Sequence, residues 1–242
     1  RFPPITIVKL SQVGYYGFRR ATLIEPFWNA YFLGLVISLA EKIENSRIPE
    51  NEEKIFSYRY SWGEEKSALF KDTTWIDYKR KCVDLSNSHS FVLQTDISNF
   101  YPTINHHKLE NELKRIDTTS DISKRVMKIL GIFTGTISYG LPVGGPASRI
   151  LAELSLNHID FHLKSRGIMF CRYADDFTIF ANSESECYKI LVLLSEKLAN
   201  DQLGLQKSKT KIMTCDEYRE IHKFIDPQPN DSVVSDEEQK LL

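Results

Sequence analysis

Neither sign of charge is in excess in this sequence. Lys and Arg number 31 against 32 Asp and Glu, a formal charge of −1. A chain-wide basic coat is therefore excluded, and any nucleic-acid contact must come from a local patch. Cysteine is sparse as well. Cys82, Cys171, Cys187 and Cys215 are scattered, with no CxxC pair and no Cys/His zinc spacing. That pattern excludes a disulfide framework and fits free thiols in a reducing cytoplasm. No long hydrophobic run is present. The most apolar stretch, residues 27–40, is interrupted by Asn29 and Ser38. It is too short to span a bilayer and reads as a buried helix, so no membrane partner is expected. The N-terminus has no signal-peptide pattern. Arg1 stands where an initiator methionine would, which suggests a fragment or a trimmed chain. No internal repeat or low-complexity segment is visible.

What is present suits a folded core. The 242 residues are 42% apolar and 26% charged, enough for one large domain or two small ones. Residues 1–24 carry Arg1, Lys9, Arg19 and Arg20 and no acid, making them the most basic region. Pro26 opens a helix whose apolar positions run to Ile43. Residues 45–65 are polar, with Pro49 and several Glu, and read as an exposed loop. Residues 75–82 return to a helical pattern. His106 and His107 read as surface histidines, because adjacent helix positions do not face one another.

The organisation sharpens after residue 90. Residues 91–97 form a strand-like run that ends in a polar turn. Helical segments follow near residues 106–115 and 120–130. Residues 135–145 are rich in glycine, and Pro146 opens another helix. Residues 168–173 and 177–181 are short apolar runs around Ala174-Asp175-Asp176 and read as a hairpin. Ser183 and Glu186 make a capping box, and the helix they open stops near Gly204. Residues 211–214 form a last strand. The order β, helices, β, β, α, β predicts an α+β fold with the split βαβ antiparallel sheet of ferredoxin-like domains, helices covering one face. Residues 226–242 hold five acids and one Lys and read as a linker or frayed end.

This topology brings Asp96, at the end of one strand, beside Asp175 and Asp176 at the hairpin tip. Three carboxylates at one sheet edge repel unless a cation joins them. Oxygen-only ligands favour Mg²⁺ or Mn²⁺ over zinc. Two such ions about 4 Å apart stabilise the attacking and leaving oxygens of an in-line phosphoryl transfer. Asp-Asp also occurs in hairpin turns for conformational reasons alone. The apolar flanks Phe170-Cys171-Arg172-Tyr173 and Phe177-Thr178-Ile179-Phe180 make this hairpin a core element instead.

Tyr173-Ala174-Asp175-Asp176 resembles the YxDD box of reverse transcriptases. Asp96-Ile97-Ser98-Asn99-Phe100-Tyr101-Pro102-Thr103-Ile104 resembles their first catalytic motif. Gly140-Leu141-Pro142-Val143-Gly144-Gly145-Pro146-Ala147-Ser148-Arg149 resembles the glycine-rich motif between them, and Leu205-Gln206-Lys207-Ser208-Lys209-Thr210-Lys211 the lysine-bearing motif after them. The upstream Arg19-Arg20 and Phe56-Ser57-Tyr58-Arg59-Tyr60 resemble the fingers of bacterial members. The flavour is that of the retron-like, abortive-infection and defence-associated enzymes.

The resemblance implies a right-hand polymerase: a fingers-like region over residues 1–90, a palm over 91–215, and an acidic tail, linker or start of a thumb over 216–242. It implies an RNA-directed DNA polymerase that uses dNTPs and Mg²⁺ or Mn²⁺, in bacterial antiviral defence. An RNA template or non-coding RNA and a DNA product are the implied partners, and oligomerisation is compatible. Asp96, the Ile97 backbone, Asp175 and Asp176 are the implied metal ligands. Arg19 or Arg20 is placed on the triphosphate, where a guanidinium binds phosphate bidentately. Tyr101 is placed against the sugar 2′ position, Gly144 beside the nucleotide, and Lys209, with Lys211 as rival, on the leaving pyrophosphate. Two departures stand out. Val143 occupies a position where many members have Gln, and little chain follows residue 215 for a thumb. Valine offers no side-chain hydrogen bond, which leaves a template-independent nucleotidyltransferase open as an alternative. A nucleotide cyclase and a non-catalytic RNA-binding module are further rivals, opposed by the motif set and the intact aspartates.

Overall fold

The computed structural model describes residues 6–13, 17–62, 68–118 and 121–223. The chain starts with an antiparallel hairpin of β1 (Thr6–Val13) and β2 (Gly17–Ile24), followed by the long helix α1 (Pro26–Ser46). After α2 (Trp75–Ser86) come β3 (Phe91–Asp96), a single helical turn α3 (Phe100–Thr103), α4 (His106–Ile116) and α5 (Ile122–Thr134). Then follow α6 (Pro146–Ser165), β4 (Met169–Tyr173), β5 (Asp176–Ala181), α7 (Glu184–Ala199), β6 (Lys211–Thr214) and α8 (Cys215–His222). No helix among the described residues is long and apolar enough to cross a membrane, and all four cysteines are buried and unpaired.

The central sheet has the order β4-β5-β3-β6, and every neighbouring pair is antiparallel. This is the split βαβ arrangement expected from the order of elements. Alternation along the strands divides the core in two. Leu93, Phe177, Ile179 and Ala181 face α6 and α7, in a core that also takes in α1, α4 and α5. Val92, Cys171 and Phe180 face the opposite way, against Tyr78 and Cys82 of α2 and Tyr218 of α8. The expectation of helices on one face holds for α6 and α7, but the second face is covered too. The cause is the apolar content of alternate strand positions on both sides, which leaves no face for water.

Local capping explains several boundaries. Thr74 and Asp77 form a complete capping box at α2, and Thr214 and Glu217 another at α8. The Ser183 hydroxyl accepts from Glu186 N–H at 3.2 Å, as the sequence implied, and α7 ends at Ala199. Residues 216–223, placed by the sequence in an acidic tail, linker or start of a thumb, fold as the rest of α8 and the residue after it, with Tyr218 wholly buried. Residues 224–242 lie outside the described residues.

The segment read as an exposed loop, residues 45–65, departs most from expectation. Arg47, Ile48, Ile55, Phe56, Ser57 and Arg59 are all buried. Its charges are matched in place: Arg47 and Arg59 each meet Glu44 at 2.8 Å. The segment also extends the sheet. Arg172 N–H donates to Lys54 O at 2.7 Å and Phe56 N–H to Arg172 O at 3.0 Å, covering the exposed edge of β4. His106 is likewise not a surface residue. It is buried, and its Nε2 meets Gly140 O at 2.7 Å, tying the glycine-rich loop to α4.

His222 gives the fold a testable pH signature. Its ring lies 4.4 Å from that of Tyr218, and its Nε2 is buried with no hydrogen-bond partner among the described residues. Burial, and then the charge of Lys79, pull its pKa down to about 4. A depressed histidine stays neutral in the folded chain. Its contribution is complete above the ordinary histidine pKa and is lost as pH falls from about 6.5 towards 4. In His222→Phe, urea midpoints measured across that window should fall less steeply than in wild type. Parallel profiles would contradict this account.

Candidate active site

The register of β3 against β5 sets the site. Asp96, the last residue of β3, stands directly opposite Asp176, the first residue of β5. The turn between β4 and β5 carries Ala174 in the left-handed region at φ 52° and then Asp175. Ile97 N–H donates to Asp175 O at 3.2 Å, so the turn is stitched to the end of β3. Gln206 N–H donates to Asp96 O at 2.8 Å and brings in the lysine-bearing segment. The three expected aspartates and Lys209 therefore belong to one sheet edge.

Lys209 offsets part of the negative charge. Its ammonium pairs with the buried Asp96 carboxylate. Burial alone would lower the Lys209 pKa, but the Asp96 bond and charge, then Asp176 and Asp175, outweigh it and raise the value. Lys211 forms no such pair among the described residues. Both lysines line a cavity of about 270 Å³ with Tyr78, Lys79, Asp96 and Asp176. A larger cleft of about 340 Å³, beside Glu50, Glu53, Phe56 and Arg59, holds none of the expected site residues.

Among the described residues, no group of three His, Cys, Asp or Glu side chains is arranged to hold a metal ion. Like charges close up only around a cation, and on Asp96 the Lys209 ammonium takes that place. In donor chemistry the set fits a hard divalent ion, because every candidate ligand is an oxygen and the local charge is negative.

Tyr101 sits on α3, directly after Phe100, whose ring is 5.5 Å away. It is partly buried. Burial, then the proximity of Tyr58, Glu153 and Asp175, raises its phenol pKa well above the usual value. The ring therefore belongs to the neighbourhood of Asp175 and of the upstream Tyr58, over which Arg149 stacks at 4.8 Å. The glycine-rich loop closes on the same turn. Leu141 N–H donates to Tyr101 O and Gly140 N–H to Ile104 O, both at 2.8 Å. Gly140 has φ 97°, and a Cβ there would approach Pro102 O to 3.2 Å, so the close approach requires glycine. Gly144 has φ 106° and is exposed, with open space where a Cβ would lie.

Arg19 and Arg20 lie in β2, opposite Ser11 and Leu10. Their side chains lie outside the described residues. Sequence reasoning passed over Lys79, which is buried, lines the carboxylate cavity and stacks on Trp75 at 5.1 Å. It also passed over Glu153 and Arg172 as more than core flank. A lone Arg within the apolar run of β4 was the available signal.

Comparison with known proteins agrees with this geometry. Residues 39–238 match the family described as reverse transcriptase (RNA-dependent DNA polymerase). The chain belongs to the reverse transcriptase family. It is 28% identical over 127 residues to the retron Ec86 reverse transcriptase of Escherichia coli, covering 51% of this chain and 38% of that protein. The chain thus aligns with well under half the length of that relative. Among solved structures, telomerase from Candida albicans in complex with a fragment of telomeric RNA superposes with a TM-score of 0.59 at 11% identity, over 87% of this chain and 43% of that one. Apo telomerase from Candida tropicalis gives 0.58 at 10% identity, over 86% and 44%. These two likenesses establish the shared fold.

The Lys209–Asp96 pair makes a direct prediction. The ammonium reaches the buried Asp96 carboxylate from an exposed lysine and is screened by solvent on its outer side, so a divalent ion competes with it for the same oxygens. Lys209→Met removes the competing ammonium and should tighten Mn²⁺ binding a few-fold, read by titration calorimetry at fixed ionic strength. Weaker binding would contradict the competition.

Proposed function

We propose that the chain is the fingers and palm of an RNA-directed DNA polymerase that joins deoxynucleotides to a primer hydroxyl. The observation that supports this most is the opposition of Asp96 and Asp176, with Asp175 joined through its carbonyl to Ile97. Asp96, Asp175, Asp176 and the Ile97 carbonyl would hold two Mg²⁺ or Mn²⁺ ions. When bound, these supply Lewis-acid polarisation of the attacking and leaving oxygens. The primer 3′-hydroxyl releases its proton to solvent as its oxygen bonds to the α-phosphorus and the bond from that phosphorus to the bridging oxygen of pyrophosphate breaks. Lys209 carries its proton at neutral pH, as lysines ordinarily do, and gives it to the leaving oxygen once the negative charge developing there draws the ammonium from Asp96. Arg19 or Arg20 grips the triphosphate, and the backbone at Gly144 passes beside the nucleotide. Tyr101 excludes a 2′-hydroxyl by steric overlap.

Template-independent nucleotide addition is a second reading, supported by Val143, whose side chain offers the nucleotide or template no hydrogen bond. Likeness to a retron enzyme supports a setting in bacterial antiviral defence, with a non-coding RNA as partner and synthesis in the cytoplasm.

Two variants test the reading. Asp175→Asn keeps the shape of the side chain and removes its charge. It should abolish dNTP incorporation while leaving the melting temperature and RNA binding near wild type, and retained incorporation would remove Asp175 from the site. Tyr101→Val should lower the dNTP-to-rNTP incorporation ratio on the order of 10²-fold, the scale of a lost steric filter worth a few kcal/mol. An unchanged ratio in an active variant would assign Tyr101 to core packing.

A further inference from the structure

Arg172 is wholly buried in β4, one residue before the Tyr173-Ala174-Asp175-Asp176 turn. All three of its guanidinium nitrogens donate. Nε and Nη2 donate to the two oxygens of Asp160 at 2.8 and 2.5 Å, and Nη2 also reaches Glu153 at 3.0 Å. Nη1 donates to Ala174 O at 2.7 Å. That last bond differs in kind from the others. It reaches forward into the turn and fixes the carbonyl of the peptide whose nitrogen belongs to Asp175. Ala174 holds a left-handed conformation at φ 52°, which a non-glycine residue adopts only when its surroundings impose it.

The anchor beneath the turn is itself held. Glu153 accepts from Arg47 at 2.7 Å and from the Ser57 hydroxyl at 2.5 Å. Burial alone would push Glu153 up, but the Arg172 and Arg47 guanidinia and the Ser57 hydroxyl bring it below the usual carboxylate range. It stays ionised and keeps its grip on Arg172. Asp160 and Glu153 both stand on α6, so the fork rests on a rigid helix.

We infer that Arg172 is a positioning residue: it fixes the peptide leading into Asp175, and through that turn sets the spacing of Asp175 and Asp176 against Asp96. This rests on the reading of those aspartates as metal ligands. A lysine at 172 would keep the charge. It could not serve two carboxylates and a carbonyl together, because an ammonium lacks the planar fork.

The test compares Arg172→Lys with Arg59→Lys in the full-length protein. Arg59 is a similarly buried guanidinium, held by Glu44, Ile48 O and Ile55 O, and among the described residues it does not bond to the turn. Three quantities are measured: the unfolding midpoint, Mn²⁺ affinity by water-proton relaxation, and kcat and KM for dNTP. Arg172→Lys should weaken Mn²⁺ binding about tenfold and lower kcat with KM nearly unchanged. Arg59→Lys should lose comparable stability and leave both untouched. If Arg172→Lys does not fold, Asp160→Asn loosens the fork while keeping Arg172, and should weaken Mn²⁺ binding a few-fold. A folded Arg172→Lys or Asp160→Asn that binds Mn²⁺ as wild type does would overturn the inference. So would an equal loss of Mn²⁺ affinity in Arg59→Lys. A wild type that binds Mn²⁺ but incorporates no nucleotide would remove the polymerase reading and not this one, because the affinity shift is read on the metal alone. A wild type that binds no Mn²⁺ would overturn both.

Discussion

Arg172, Arg47 and Arg59 are buried, and a buried guanidinium is tolerated only where carboxylates and carbonyls take its N–H groups. Glu153, Asp160 and Glu44 supply the matching charges, so the three cations and three anions cancel within one network. Removing one partner of such a set typically costs about 3–5 kcal/mol, because an uncompensated charge is left in the core. The network also dictates geometry. Arg47 and Ser57 tie the upstream segment to Glu153 of α6, and Arg172 ties α6 to β4 and to the turn that carries Asp175, whereas Arg59 bonds back to Glu44, Ile48 O and Ile55 O. Because hydrogen bonds to a fork are directional, the network fixes orientations that apolar packing alone leaves loose.

The candidate site follows from this frame by simple electrostatics. Antiparallel register puts Asp96 and Asp176 face to face. Two carboxylates so placed favour positive charge between them, and Lys209 answers that demand on Asp96. The same attraction raises the Lys209 pKa, so the ammonium holds its proton more tightly beside these carboxylates. One lysine thus offsets part of the negative charge at this sheet edge. Tyr101 and the glycine-rich loop close the other side, joined by Leu141 N–H to Tyr101 O.

Much of this was legible in the residues. The order of strands and the opposition of the aspartates follow from period-two runs around a turn, and four motifs in family order carry the resemblance. Other parts were hidden for physical reasons. Residues 47–59 look exposed because they are charged, and only the folded chain shows that each of its two arginines meets an acid. The β1–β2 hairpin was missed because its strands mix Lys9, Ser11 and Gln12 with apolar residues at no clean alternation. The acids after residue 215 leave a tail, a linker and the start of a thumb all open, although Thr214 and Glu217 spell the capping box of α8. Arg172 was seen as flank, because a single charge in a strand does not reveal whether it reaches water or a carboxylate.

The most direct measurement of the central claim is sequencing of the product made by the full-length protein on a heteropolymeric RNA with an annealed primer, in Mg²⁺ and all four dNTPs. The account predicts DNA complementary to the RNA, extended from the primer 3′ end. DNA whose sequence ignores the template, or no extension under conditions where the protein is folded and binds Mn²⁺, would contradict it.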